Sequence, residues 1–456
     1  MLATDAPRRD ATVTRYWFIG AVLCVFGPYL VGGLRTEQLA MYASAAVAVV
    51  LHRRHLRVLM PGRAVLVLWA AYVLVAAVGG LVTESRLEWG SGSLVAGLDN
   101  ALLPLATMTA VALWMRSISP LVMLRTASWV VVSAMAINAA LAVLTSLVGV
   151  DNLPFLRVFW AASGAGPTVA ELAAVNGRFS GVFNQPAEAG IAYSLAAFCL
   201  IYLVRSGASV PRRVWLVLCA LVILGGVMTL SKIFIIGGLL IALGLVLTAR
   251  PHRRLLTVGT AVVVASTFTL GALGWLGTWG AAGMLSWYVQ SAQAGNSWAY
   301  TLTAGRFGAG GNELPPEVPD SSPGLPTEFQ QPGGLVKLAR AVLMEHPWFG
   351  VGARGLPVSY DSTWIEAVVV AGVVGVLLVF AVHVLLAIRL IRLRRFLPHE
   401  EWRLATAVVL LVAGSSFGMP SLTGNREGTL LWIFLAILLV FRRPGTQWDR
   451  TLDSAP

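Results

Sequence analysis

The chain has 456 residues, of which 57% are hydrophobic and only 12% are charged. Soluble globular proteins carry about 25% charged residues, so too little polar sequence remains here to cover a soluble core. Repeated apolar runs, each roughly 14 to 25 residues long, instead predict an all-α polytopic membrane protein.

The apolar runs predict about twelve transmembrane helices, within a range of ten to twelve because two runs are short. The predicted spans lie near 16–34, 38–51, 64–82, 97–115, 121–148, 187–204, 214–230, 232–249, 255–277, 362–388, 404–418 and 428–441. Three regions follow from this pattern. They are an N-terminal bundle of about nine spans over 1–277, a large extracytoplasmic loop over 278–361, and C-terminal helices over 362–456. Residues 1–15 are too polar for a cleavable signal peptide.

The basic residues indicate how this bundle is oriented. With the N-terminus in the cytoplasm, the inside segments hold 23 of the 33 Lys and Arg residues but only 6 of the 21 Asp and Glu residues. This distribution follows the positive-inside rule and explains the net charge of +12 without a nucleic-acid partner. Both termini are therefore predicted to be cytoplasmic, and the stretches 149–186 and 278–361 are predicted to lie outside.

The few basic residues on the outer side are candidates for binding an anion. Lys232 lies between two spans that almost no loop separates, Arg178 precedes a span, and Arg306 and Arg354 lie beside glycines. Gathered together, such cations would suit a diphosphate, whose oxygens accept paired hydrogen bonds. Each also has a simpler interpretation, because a lysine can extend its stem along the membrane interface and loop arginines are usually solvated.

A short amphipathic helix is predicted at the membrane surface from 335 to 345, where Pro347 ends it. Arg340 is a further candidate for binding the diphosphate, although it fits equally well on the polar face of this helix with Lys337. His346 follows the helix and could transfer a proton. It could equally serve to cap the helix.

Two carboxylates at the start of the tenth span are candidate bases. Asp361 directly precedes that span, where partial burial would make an aspartate a stronger base, but it could also be an ordinary N-cap. Glu366 lies one turn into the span and is expected to face the interior of the bundle. Gly372 and Gly375, further along, are expected to let helices pack closely.

Several kinds of site are excluded by the motifs. The sequence contains no P-loop, no Gly-rich dinucleotide motif and no cluster with metal-ligand spacing, so we expect neither a cofactor nor a metal. The three cysteines, Cys24, Cys199 and Cys219, fall inside apolar runs and are expected to be packing residues.

The motifs resemble those of the O-antigen ligase and O-antigen polymerase family of bacterial envelope proteins. The large loop resembles the loop of that family in three stretches: Gly305-Arg306, the turn of His346, Pro347, Gly350 and Gly352, and the pair Asp361-Ser362 followed by Gly372 and Gly375. Earlier in the chain, Arg178 with Ser180 and Gly181 resembles an arginine motif of the family, and Ser231-Lys232 resembles its Ser-Arg span junction. The resemblance covers about 175–380.

The resemblance implies a GT-C-like fold and a metal-independent glycosyltransferase in the bacterial cytoplasmic membrane. The implied donor is a polyprenyl-diphosphate-linked oligosaccharide, the acceptor is a glycan hydroxyl on the outer face, and other envelope polysaccharide assembly proteins are possible partners. Asp361 would be the base, with Glu366 and His346 as alternatives. The diphosphate would contact Arg178, Lys232, Arg306, Arg340 and Arg354. Because ligases carry a histidine where this chain has Asp361, the resemblance favours a polymerase.

Three other functions stay open. A ligase would transfer the glycan once, to a different lipid or wall acceptor. A flippase or other transporter of lipid-linked glycans would share the span count, although the span interiors look nearly free of charge and no matched pair of broken helices is evident. A scaffold for envelope assembly would use the large loop for docking.

Overall fold

The computed structural model describes residues 6–30, 33–52, 62–83, 94–160, 167–208, 210–247, 290–295, 297, 334–355, 360 and 362–441. The predicted span 255–277, most of the large loop, Arg306 and Asp361 lie outside these residues. Within them the chain is helical and has no β-strand, only an isolated bridge between Tyr29 and Arg35.

Helices occur where the described residues cover the predicted spans. They are α1 Ala6–Cys24, α2 Thr36–His52, α3 Arg63–Val82, α4 Leu94–Trp114, α5 Pro120–Val148, α6 Val169–Val175, α7 Pro186–Arg205, α8 Arg212–Met228, α9 Leu239–Leu247, α10 Gly334–Glu345, α11 Thr363–Leu393, α12 His399–Ser415 and α13 Arg426–Val440. A π-helical stretch, Ile233–Gly238, precedes α9. The helix α1 ends well before the predicted residue 34, because the chain turns at Gly27 and Pro28, and proline cannot continue a helix.

Four of these helices are long and apolar enough to cross a membrane, judged by length and composition: Arg63–Leu81, Pro120–Val148, Pro186–Arg205 and Thr363–Leu393. Two shorter apolar helices, Ala11–Cys24 and Ile233–Leu247, accompany them. Apolar side chains cover both the inside and much of the outside of the bundle, as in α5, where Ile137 and Leu147 are exposed. The structure is therefore that of a helical membrane protein.

The helices α7 and α13 form the centre of the bundle. Every α13 residue from Arg426 to Leu439 is buried, and so is nearly all of α7. Helices α4, α5, α8 and α12 pack against them, and Trp69 of α3 packs edge-on against Trp432 of α13 at 5.2 Å. The first residues of α7 and α13 are consequently enclosed by protein on all sides.

The helix α11 is not one continuous rod, contrary to the single predicted span. Gly372 has φ 61° and ψ −152°, which interrupts the helix. Trp364 and His383 lie on opposite sides of that break, and their ring centroids are only 5.2 Å apart. A straight helix would separate these residues by about 28 Å. The segment 363–371 therefore folds back along the segment 373–393, which is itself long enough to cross a hydrocarbon core of about 30 Å.

Candidate functional site

The polar end of the bundle is where the starts of α2, α4, α7, α11 and α13 meet the end of α3 and the described loops that follow α5 and α8. The predicted topology assigns this end to the outside. Most of the candidate residues of the sequence analysis that fall in the described part of the chain lie here.

The loop that contains Arg178 crosses the tip of the helical hairpin formed by α8 and the π-helical stretch. The amide of Phe179 donates to the carbonyl oxygen of Met228 at 2.9 Å, and Nε of Arg178 donates to that of Thr229 at 3.3 Å. Lys232 lies three residues after Thr229, at the start of the second helical arm of the hairpin. Two cations from distant parts of the sequence thus lie at one hairpin tip, both half-buried.

The hairpin tip itself is a tight and strained turn. Leu230 has φ 47°, which is uncommon for a residue with a side chain, and Ser231 beside it is buried. The π-helical hydrogen bonding that follows is a geometry often found at functional sites. Strain of this kind costs of order 1–3 kcal/mol and persists only where the surroundings enforce it. Here the hydrogen bonds from Arg178 and Phe179 to Thr229 and Met228 help to hold the turn in this conformation.

Asn138 and Arg426 connect this loop to the centre of the bundle. Asn138 accepts a hydrogen bond from the amide of Val182 at 2.8 Å and donates to the carbonyl oxygen of Ser180 at 3.2 Å. Arg426, at the start of α13, donates to the carbonyl oxygens of Val182 and Gly27. Its guanidinium also lies over the ring of Tyr29, 5.2 Å from the centroid. Arg426 is therefore fixed on several sides.

The folded-back segment 363–371 brings Glu366 to the same region. Glu366 is only 4% exposed, which confirms that it faces the interior, and it accepts a hydrogen bond from the hydroxyl of Thr423, shortly before α13. The start of the segment is tied to the end of α12, because Thr363 donates to the carbonyl oxygens of Ser416 and Met419. The N-cap is Ser362, whose side chain accepts from the amide of Trp364. The alternative that Asp361 is the N-cap is therefore wrong.

The turn from His346 to Gly352 caps both helix ends at the break. Amides of Val351 and Gly352 donate to the last carbonyl oxygens before the break, at 2.8 and 3.0 Å. Carbonyl oxygens of Pro347 and Trp348 accept from the first amides after it, at 2.8 and 3.2 Å. Helix ends buried in apolar surroundings need such partners. Gly372 therefore makes the break itself, rather than only permitting helix packing as the sequence analysis expected.

Glycines also let this turn press against its neighbours. Gly350 and Gly352 have φ of 62° and 79°, and a Cβ at Gly79 would meet the Cα of Gly352 at 3.1 Å. Arg354 is exposed on the one-turn 3-10 helix Ala353–Gly355 that follows. The turn thus docks on the end of α3 and holds Arg354 at the rim.

The two remaining candidates of the described loop lie on or beside α10. This helix spans Gly334–Glu345, close to the predicted bounds, and packs against α11 through the buried Leu335, Leu338 and Val342. Arg340 is exposed on its outer face. His346 follows the last turn, half-buried, with its Nε2 3.4 Å from a carboxylate oxygen of Glu345. Arg306 and Asp361 lie outside the described residues.

A buried cluster of charges, which the sequence analysis missed, lies at the starts of α2, α7 and α13. Arg35, Glu37, Glu188, Arg426 and Glu427 are each at most 3% exposed. Arg35 pairs with Glu37 at 3.1 Å and with Asp99 at 3.6 Å, and it donates hydrogen bonds to Asn100 and Asn425. Asn425 in turn donates to Glu188 at 3.3 Å.

The charges in this cluster do not balance within the described residues. Four carboxylates, those of Glu37, Asp99, Glu188 and Glu427, face the two guanidinium groups of Arg35 and Arg426. A carboxylate in the first turn of a helix gains about 0.3–1 kcal/mol from the helix dipole. An uncompensated buried charge costs several kcal/mol. The dipoles alone therefore do not hold these carboxylates in the ionised form.

The signal that could have revealed this cluster is present in the sequence. Charged residues lie at or just before the starts of the predicted spans 38–51, 97–115, 187–204 and 428–441, all on the side assigned to the outside. The expectation of nearly charge-free span interiors overlooked them, because the apolar remainder of each span dominates its hydropathy.

No group of three or more His, Cys, Asp or Glu side chains could hold a metal ion in the described part of the chain. No model of a known protein family matches this sequence, and no curated protein matches it either.

Proposed function

We propose that the protein is a membrane glycosyltransferase that transfers or polymerises glycan units from a polyprenyl-diphosphate-linked donor. In this proposal about twelve spans lie in a bacterial cytoplasmic membrane, with both termini cytoplasmic and the polar end facing outward. The positive-inside distribution of Lys and Arg supports that orientation. The motif resemblance supports the reaction class.

The observation that carries the proposal is the meeting of Arg178 and Lys232 at one hairpin tip. The guanidinium of Arg178 donates a hydrogen bond to the carbonyl oxygen of Thr229, which is only three residues before Lys232 in the chain. Two cations at the outer end of an apolar bundle suit a diphosphate whose lipid chain lies in the membrane beside it. Arg354 and Arg306 would add further positive charge, and Arg340 is a more peripheral contributor because it is exposed on α10.

The proposed reaction is a displacement at the anomeric carbon of the donor glycan. The acceptor hydroxyl forms the new C–O bond while the bond to the diphosphate breaks, and the departing polyprenyl diphosphate keeps the electron pair. Asp361 accepts the proton of the hydroxyl, with His346 as the alternative base. Arg178 and Lys232 stabilise the charge that develops on the diphosphate.

The surroundings of Glu366 do not suit a base that contacts the acceptor hydroxyl. Its carboxylate is buried and already accepts a hydrogen bond from Thr423. Because Glu366 fixes the folded-back segment 363–371, which Ser362 caps, we assign it a positioning role. Glu366→Gln, whose amide oxygen still accepts from Thr423, should then retain part of the activity that Glu366→Leu loses, without moving the pH profile.

The experiment uses the purified chain in lipid nanodiscs with a polyprenyl-diphosphate-linked oligosaccharide. A polymerase produces a ladder of repeat lengths, and a ligase produces a single transfer to an added acceptor. If the glycans stay unchanged with every acceptor offered, the proposal fails.

A second candidate is a transporter of lipid-linked glycans. Two observations favour it over the sequence-based expectation: α11 is discontinuous at Gly372, and ionisable residues are buried at helix starts. Both features are common in transporters. Movement of an intact lipid-linked glycan across a vesicle bilayer, with no change in glycan length, would favour this function.

A further inference from the structure

Glu427 has the least compensated charge among the described residues. Its side chain is fully buried in the first turn of α13, and neither carboxylate oxygen has a hydrogen-bond partner beyond its own backbone amide. No described cation lies within ion-pair distance of it. Its neighbour Arg426 directs its guanidinium to the carbonyl oxygens of Val182 and Gly27 instead.

Glu188 supplies a second free acceptor at the same place. Oε1 of Glu188 accepts from Asn425 at 3.3 Å, but Oε2 is buried without a partner. Asn425, which donates to Glu188, lies only two residues before Glu427, so both carboxylates belong to the same junction of α7 and α13. Asn184, four residues before Glu188 in the chain, has a buried amide oxygen that also lacks a partner. Among the described residues, the junction of α7 and α13 therefore holds more unpartnered acceptors than donors, since Nε of Arg426 is also buried without a partner.

The groups that surround the pair do not remove this imbalance. Besides each other, the charged and titratable side chains that interact with Glu188 or Glu427 in the described residues are Arg35, Glu37, Tyr29 and Arg426. Arg35 is already engaged by Glu37 and Asp99. Two like charges at such a buried site cannot both persist without a positive charge between them.

We propose that Glu188 and Glu427 form a buried binding site for one monovalent cation, either a proton or a sodium ion. Either occupant supplies one positive charge to the pair and so reduces the excess of carboxylates over guanidinium groups in the cluster. The proton would be shared between the two carboxyl groups. The sodium ion would be coordinated by their oxygens. The site is independent of the proposed transfer reaction, since neither residue belongs to the proposed diphosphate site.

The test compares the purified full chain in sodium chloride and in choline chloride of equal ionic strength, over a range of pH. A sodium site raises the midpoint of thermal unfolding in sodium alone, and lowering the pH weakens this response because protons compete. A proton site instead shows the infrared band of a protonated carboxyl group at neutral pH, with no effect of sodium.

The variants assign the effect to the pair. Glu427→Gln should abolish the sodium response or the infrared band, and Glu188→Gln should do the same. Glu401→Gln is the matched control, because Glu401 is also buried in a first helical turn but accepts a hydrogen bond from Tyr202. It should leave both signals unchanged. If the unaltered chain shows neither signal, or if a folded Glu427→Gln variant keeps it, the proposal is wrong. The absence of both signals from the unaltered chain would contradict the proposal even where a variant fails to fold.

Discussion

Thr423 donates a hydrogen bond to the buried carboxylate of Glu366, and this contact joins the folded-back segment of α11 to the approach to α13. Thr423 is 4% exposed, so water cannot readily take the place of its hydroxyl if that group is removed. The contact thereby connects the broken helix to the part of the chain that also holds Asn425 and Arg426.

Replacement of Thr423 by valine keeps the shape of the side chain but leaves Glu366 without its donor. We expect Thr423→Val to destabilise the protein by about 1–3 kcal/mol, because a buried acceptor that loses its partner bears the desolvation cost. Thr423→Ser should retain most of the stability. The measurement is the temperature at which the folded monomer is lost in detergent. Thr406→Val is the control, since the hydroxyl of Thr406 bonds only to a carbonyl oxygen of its own helix. Equal losses in the two valine variants would contradict the role of Glu366.

Gly372 should tolerate no side chain. Its φ of 61° and ψ of −152° lie near a region that only glycine normally occupies, and a Cβ there would lie 2.6 Å from the carbonyl carbon of Trp348. Gly372→Ala should lower stability by about 1–3 kcal/mol from backbone strain alone. Gly414→Ala, in α12 with open space around it, should be neutral or stabilising by up to about 1 kcal/mol. Unfolding of the two variants under the same conditions makes the comparison. If α11 were a straight helix, Gly372→Ala and Gly414→Ala would have similar stabilities.

The short helix α6 should be sensitive to acid. Burial alone would raise the pKa of Glu171, but hydrogen bonds from Thr168 and from Arg157 lower it below its ordinary value. Such a carboxylate stabilises the fold while it is ionised, and that stabilisation is lost as the pH falls through its lowered pKa. Amide hydrogen exchange in α6, corrected for intrinsic rates, should be steady from pH 7 to about 4.3 and faster below it.

The variant Glu171→Gln tests the cause of that acid sensitivity. It should weaken the protection of α6 at neutral pH and remove the additional loss in acid, because the capping box of Thr168 and Glu171 no longer titrates. Amides of α7 serve as the internal reference. An unchanged acid response in the variant would assign the effect to another group.

The helices were predictable and the break in α11 was not. Apolar runs locate a helix because each residue in lipid needs an internal hydrogen-bond partner, and the bounds of α3, α5 and α7 agree with the predicted spans to within about two residues. Hydropathy does not respond to a reversal at Gly372, because the segments on both sides are equally apolar.

The arrangement of the polar end was predictable only in part. Lys232 and Arg178 stand out because charges are rare near span ends. The partners of Arg35, which include Asp99 and Asn425, are far away in the sequence, and a single sequence does not reveal such long-range contacts. The capping of the helix break by Val351 and Gly352 uses backbone atoms, for which the side-chain pattern carries no signal.

The most direct test of the proposed function measures the release of polyprenyl diphosphate from a lipid-linked oligosaccharide by the purified chain. We predict release together with glycan lengthening or transfer, and a loss of about 100-fold or more in both Arg178→Ala and Lys232→Ala. Lys337→Ala, which alters an exposed lysine of α10, should retain the activity of the unaltered chain. Full activity in the Arg178 and Lys232 variants, or no release by the unaltered chain, would contradict the proposed function.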